Sequence, residues 1–228
     1  SQVADVLSGK NATSAINIPA LKPQKIEAVK NYMPLAENVA SIASQISKGA
    51  IKEINIVTSG ELNEKDSSPL EIAILKGVMQ TNMVGINYVN APIVAKQRGI
   101  EVKTSKSNTN ENAISVKLLT NEEETTIKGS LIAKDIKRIT KINDYTTSIE
   151  PNEFMLLVPH INKPNMVAQV ASVLGSDNIN ISSMQVNQNT SKTEKSIMII
   201  GIDTKAQQTT LDKISQIVGV DEAICISL

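Results

Sequence analysis

The stretch LLVPHINKPN, residues 156 to 165, holds His160, the sole histidine of the 228-residue chain. An apolar run ends there, and Asn162 and Pro164 follow closely. Pro164 lacks an N–H and has a fixed φ, so it is predicted to open a helix at no cost in hydrogen bonding. The amides of Asn165, Met166 and Val167 would then lack intrahelical acceptors. Together they make a small anion site, suited to a carboxylate. His160 and Asn162 alternate with Ile161, which predicts that both point to one side, away from the core. Asn180, at the start of a following strand, supplies a further amide that both donates and accepts. Donors for a carboxylate beside acceptors for an ammonium describe an amino-acid site. No serine, cysteine or carboxylate stands near enough to suggest nucleophilic catalysis. A lone histidine at a strand end is ordinarily a solvated or hydrogen-bonded surface residue. The chemistry on offer is therefore binding and not turnover.

The bulk composition narrows the classes further. Lys plus Arg and Asp plus Glu both number 23, so the formal net charge is zero. That balance gives no electrostatic footprint for nucleic acid. Aromatics are 2% of the residues, with no Trp, so base-stacking platforms are not expected either. One cysteine, Cys225, cannot form an internal disulfide and excludes a cysteine-based zinc or iron–sulfur site within the chain. No metal site is expected. There is no signal-peptide pattern and no apolar run near 18 residues, which predicts a soluble, cytoplasmic protein with no membrane contact.

The elements that position these residues follow from hydrophobic periodicity. SQVADVLSGK reads as the tail of a helix ended at Gly9, and residues 11–22 as an extended connector. PQKIEAVKNYMPLAENVASIASQISKG gives two helical pieces, with Leu35, Val39, Ile42, Ala43 and Ile46 on one face. Residues 1–49 are expected to be the end of something larger. IKEINIVTSGEL alternates as a strand. SSPLEIAILKGVMQ is a helix with Pro69 in its first turn, a capping box at Ser68 and Glu71, and a buried face of Leu70, Ala73, Ile74 and Gly77. A short helix after Pro92, ended at Gly99, and four strands complete an α+β domain over residues 50–149. Residues 150–228 alternate differently. FMLLVPH, INISSMQVNQN, KSIMIIGID and EAICISL are strands, and two helices lie between them. The first carries Met166, Val167, Val170, Val173 and Leu174, the second Leu211, Ile214, Ile217 and Val218. The order is βαββαβ, a ferredoxin-like split pattern with both helices on one sheet face.

HINKPNMVAQVASVLGSDNINISSMQV resembles the ACT domain, a ferredoxin-like module that binds amino acids between two copies. SAINIPAL, ELNEKDSSPLEIAILKGVM and INYVNAPIVAKQRGIEV extend the resemblance over essentially the whole chain to the C-terminal part of the D-3-phosphoglycerate dehydrogenase family. That resemblance implies a catalytic-core tail at 1–49, an allosteric substrate-binding domain at 50–149 and an ACT domain at 150–228. It implies a parent enzyme that is NAD-dependent and opens serine synthesis. L-serine would inhibit it at the ACT interface, in a homodimer or tetramer. The family's HxN pattern matches His160 and Asn162, and the asparagine of its xNI pattern matches Asn180. Its Arg-Pro-Gly is Lys163, Pro164 and Asn165 here. An anion site in the middle domain would use Arg138, with Lys137 beside it, where relatives also have basic side chains at the positions of Tyr145 and Glu150.

No GxGxxG occurs, and the family's catalytic histidine–glutamate pair and substrate arginine have no counterpart in these residues. The chain is therefore expected to be a regulatory piece with no cofactor and no catalytic residues of its own. Two other classes compete. One is a subunit of an iron–sulfur L-serine dehydratase, whose cluster cysteines would lie on another chain. The other is a free-standing amino-acid sensor or dimerisation module.

Overall fold

The computed structural model describes residues 22–133 and 136–228. The helix expected at residues 1–9 and most of the connector at 11–22 lie outside the described residues. The chain divides into two compact units at Ile136/Lys137.

The first unit begins with α1 (Pro23–Val29) and α2 (Met33–Ile46), followed by β1 (Ile51–Ser59) and a 3-10 turn (Gly60–Glu64). Then come α3 (Ser68–Gln80), α4 (Ala91–Gln97), β2 (Glu101–Ser107), β3 (Ala113–Thr120) and β4 (Glu124–Ala133). The strands lie in the order β2-β1-β3-β4, with β1 and β2 parallel and the others antiparallel. The expected helical face of α2 is buried at Leu35, Val39, Ile42 and Ala43, and that of α3 at Leu70, Ala73 and Ile74. Gly77 decides how closely these helices meet. A Cβ there would lie 2.5 Å from the backbone oxygen of Glu37. Tyr88 and Lys76 both reach the Glu37 carboxylate, which fastens α2 to the helical layer. The capping box expected at Ser68 does not form. The N-cap is Ser67 without a side-chain bond, and the Ser68 hydroxyl donates instead to Asp66 Oδ1 at 2.6 Å. The charge on the Asp66 carboxylate makes it a strong acceptor for that hydroxyl.

The second unit begins with the antiparallel hairpin β5 (Ile136–Ile142) and β6 (Tyr145–Ile149), turned at Asn143, which takes φ 48°. Beyond it the elements are β7 (Phe154–Ile161), α5 (Met166–Ser176), β8 (Ile181–Gln188), β9 (Lys195–Ile202), α6 (Gln208–Ser215) and β10 (Ile224–Ser227). The last four strands form one antiparallel sheet in the order β10-β7-β9-β8. Leu156, Val158, Met198, Ile200 and Ile202 on one sheet face pack with Met166, Val170 and Leu174 of α5 and Ile214 of α6. Alternation in the strands and the 3.6-residue period in the helices put these side chains in a single core. Val218 was expected on that helical face and is not. The helix stops at Ser215, and Val218 is 80% exposed. A left-handed Gly219, φ 100°, turns the chain towards Val220. The hairpin is tied to β8 through Gln185, whose Oε1 accepts from the Thr147 hydroxyl at 2.9 Å and the Ser148 amide at 3.2 Å.

Candidate functional site

His160 sits one residue from the end of β7, opposite Ser196 of β9. It is 2% exposed. The expectation that its side chain points away from the core is therefore corrected. The Ile161 amide donates to Gly219 O at 2.7 Å, and the Asp221 amide donates to Pro159 O at 2.9 Å. These bonds lay the segment after α6 along β7, and His160 bridges Val220 on that side. The backbone at His160 is thus paired on both edges of β7.

The ring is also oriented. His160 Nδ1 lies 2.8 Å from the Ile161 carbonyl oxygen. A carbonyl can only accept, so Nδ1 is the donor, and in that tautomer Nε2 presents a lone pair. Nε2 is buried and has no hydrogen-bond partner. An unmet buried acceptor costs about 1–3 kcal/mol. An acceptor of this kind takes an N–H or O–H donor.

Pro164 does not open the helix. The first helical residue is Met166, and Asn165 is its N-cap, with φ 71° and no side-chain cap bond. The left-handed region is costly for most residues, and Gly and Asn tolerate it best. The backbone here therefore dictates which residues the position accepts. The amides without intrahelical acceptors are those of Met166, Val167 and Ala168 beside Asn165, one residue beyond the expected set. Ala168 carries no side-chain signal and is found only from the helix start.

Asn162 lies outside β7, so strand alternation does not fix its direction. Its amide donates to Glu194 O at 2.8 Å, and its Nδ2 to Thr193 O at 3.3 Å. Its Oδ1 is the atom left for a ligand donor. Ile161 and Val167 are each 42% exposed, and Val218 is 80% exposed. Asn180 is elsewhere in the unit. It precedes Ile181, which pairs with Ile202 at the far end of β9, and its amide donates to Asp203 Oδ1 at 3.1 Å. In a single chain His160, Asn162 and the start of α5 follow one another along the sequence, whereas Asn180 lies at the far end of β9.

Arg138 lies on β5 opposite Glu150, with Nη2 3.8 Å from Oε2. Exposed pairs of this kind are worth about 0–1 kcal/mol. Lys137 precedes it in the strand and so faces the other side of the hairpin. The two cations expected to share an anion diverge. Tyr145 lies at the far end of β6 from Glu150. Among the described residues, no group of three or more His, Cys, Asp and Glu side chains could hold a metal ion.

A family model described as the D-3-phosphoglycerate dehydrogenase intervening domain matches residues 28–143. The chain is 33% identical to the D-3-phosphoglycerate dehydrogenase of Synechocystis sp. over 232 residues, covering 100% of this chain and 42% of that protein. It is 31% identical to the enzyme of the same name from Methanocaldococcus jannaschii, covering 100% of this chain and 44% of that protein. The corresponding protein of Archaeoglobus fulgidus is 27% identical, with 99% and 44% covered. The chain thus spans less than half the length of these curated relatives.

Proposed function

The chain belongs to the D-3-phosphoglycerate dehydrogenase family and corresponds to its regulatory part, and from that premise we propose that it binds L-serine between two copies of its C-terminal unit. Bound serine would restrain a cytoplasmic parent enzyme. That parent oxidises 3-phosphoglycerate with NAD, the first step towards the same amino acid. The intervening domain is taken as residues 50–149 and the ACT domain as residues 150–228. The order strand, helix, strand, strand, helix, strand, with the sheet order β10-β7-β9-β8, supports the ferredoxin-like ACT reading.

The observation that carries the proposal is the buried, unpartnered Nε2 of His160. It asks for a donor, and the amides at the start of α5 ask for an acceptor. L-serine supplies both. Its carboxylate meets the amides of Asn165, Met166 and Val167, continued by Ala168. Its hydroxyl or ammonium meets His160 Nε2 and Asn162 Oδ1. Asn180 closes the site from the second copy. The exposed Ile161, Val167 and Val218 give that copy an apolar surface to cover. The family's nicotinamide cofactor belongs to the catalytic part of the parent, since these residues contain no Gly-rich turn for its pyrophosphate.

The test is calorimetry of the chain with L-serine, D-serine and glycine. L-serine is expected to bind and the other two to bind far more weakly. Equal binding of all three would remove the hydroxyl and the stereochemistry from the site, and with them the reading.

A further inference from the structure

A second cleft lies in the C-terminal unit, away from His160. Its volume is about 300 Å³, and Arg138, Glu150, Asn152, Ser182 and Ser183 line it. Three features make it a constructed site. The register of β8 on β9 shifts between Ile181 and Ser183. The extra residue of such a bulge breaks the alternation, so Ser182 and Ser183 are freed from opposite faces. Both hydroxyls then converge on Gly201 of β9. A Cβ built at Gly201 would lie 2.6 Å from Ser183 Oγ, 2.8 Å from Ser182 Oγ and 2.0 Å from Asn152 Nδ2. Any other residue at 201 would fill the space these three polar groups share. Asn152 Nδ2 donates to Ser183 Oγ at 3.2 Å, which fixes the amide at the floor.

The charges at the rim come as one of each sign. Arg138 and Glu150 face each other across 3.8 Å, with side chains 32% and 66% exposed. A pair so loose and so wet holds itself together weakly. A ligand that offers each head its own counter-charge can enter between them at little cost. A simple anion cannot, because Glu150 opposes it as Arg138 attracts it. Ile149 and Met184 give the same cleft an apolar side for the ligand's methylene groups.

We infer that the cleft over Gly201 binds a polar α-amino acid as its zwitterion. Arg138 takes the carboxylate, Glu150 the ammonium, and Ser182, Ser183 and Asn152 the side chain. The volume sits at the small end of ligand pockets and suits one amino acid. The site lies wholly within one chain, in contrast to the shared site proposed at His160.

The experiment titrates the standard L-amino acids, inorganic phosphate and glycerol, one at a time at millimolar concentration, into the isotope-labelled chain. The amide signals of Asn152, Ser182 and Ser183 are followed by NMR. At least one amino acid is expected to move them, in the parent and equally in Asn162→Ala. Its affinity should fall at least tenfold in Arg138→Gln and in Glu150→Gln. Glu150 is exposed and Arg138 half-buried, and unchanged melting temperatures confirm that both variants fold. Phosphate and glycerol should leave the signals in place. Three results would overturn the inference: no amino acid moves the signals, phosphate or glycerol moves them as strongly, or Glu150→Gln binds the amino acid as well as the parent does.

Discussion

His160 and Asn180 lie at opposite ends of β9: His160 pairs with Ser196, whereas Ile181, next to Asn180, pairs with Ile202. Six residues of extended strand separate the two ends, about 20 Å. A ligand the size of serine cannot touch both side chains of one chain. If both contact it, the second comes from another copy related by a two-fold axis.

That geometry predicts complementation. His160→Gln and Asn180→Ala should each abolish serine binding on their own. Mixed in equal amounts and allowed to exchange, they should recover about a quarter of the sites, since half the dimers are mixed and each has one intact site. Calorimetry gives the stoichiometry. Full loss in the mixture would mean that His160 and Asn180 do not meet across two copies, and the shared site would fall.

Asn165 holds φ 71° at the start of α5. Asn165→Gly should leave stability unchanged or slightly raised. Asn165→Ala should cost about 1–2 kcal/mol, because its Cβ crowds the left-handed backbone with no polar side chain to compensate. Urea denaturation of both variants gives the comparison. Equal stability of the two would mean that the backbone relaxes there.

Gly77→Ala sets two effects against each other. Alanine favours helix over glycine by about 1 kcal/mol. The added methyl would meet the Glu37 carbonyl 2.5 Å away, a backbone atom that cannot swing aside. The clash should win, and the variant should melt at a lower temperature than the parent. A rise in melting temperature would show that α2 and α3 can separate freely.

Asp177, after α5, accepts from Lys213 Nζ at 2.6 Å and Thr210 Oγ1 at 2.6 Å, both on α6. These bonds, that of Lys213 first, hold its carboxyl below the ordinary value of 3.8. A lowered native value means the stabilisation is complete above the ordinary value and is lost as pH falls below it. Asp177→Asn should therefore melt lower than the parent at neutral pH, and the gap should close in acid. A gap that is constant with pH would show that shape and not charge holds the clasp.

The isolated chain should neither bind NAD nor oxidise 3-phosphoglycerate. Its residues contain no Gly-rich phosphate-binding turn. Fluorescence titration with NADH checks this directly, and micromolar binding would contradict it.

Most of the elements were legible in the sequence because their signals are local. The period of 3.6 marked Leu35, Val39 and Ile42 for one helical face and Val170 and Leu174 for another, and all five are fully buried. Alternation marked β1, and continuous apolar runs marked β7 and β9. The strand β6, five residues of Tyr145–Ile149, escaped because Tyr, Thr and Ser in a row carry no apolar alternation. The residues at the mouth of the site were legible too, since a histidine, two asparagines and a proline at a strand–helix junction are unusual in type and spacing.

Their arrangement was not. Whether His160 is buried depends on the segment after α6 returning to pair along β7, a contact some sixty residues away in sequence. The helix start depends on Asn165 entering the left-handed region, which many residues avoid and no periodicity reports. Gly201 is plain in the sequence, but the bulge that gathers Asn152, Ser182 and Ser183 above it exists only in the register of β8 on β9. Periodicity records which side of an element faces a core. Sheet order, register and bulges arise from pairing between distant segments, and these alone decided which polar side chains share a site.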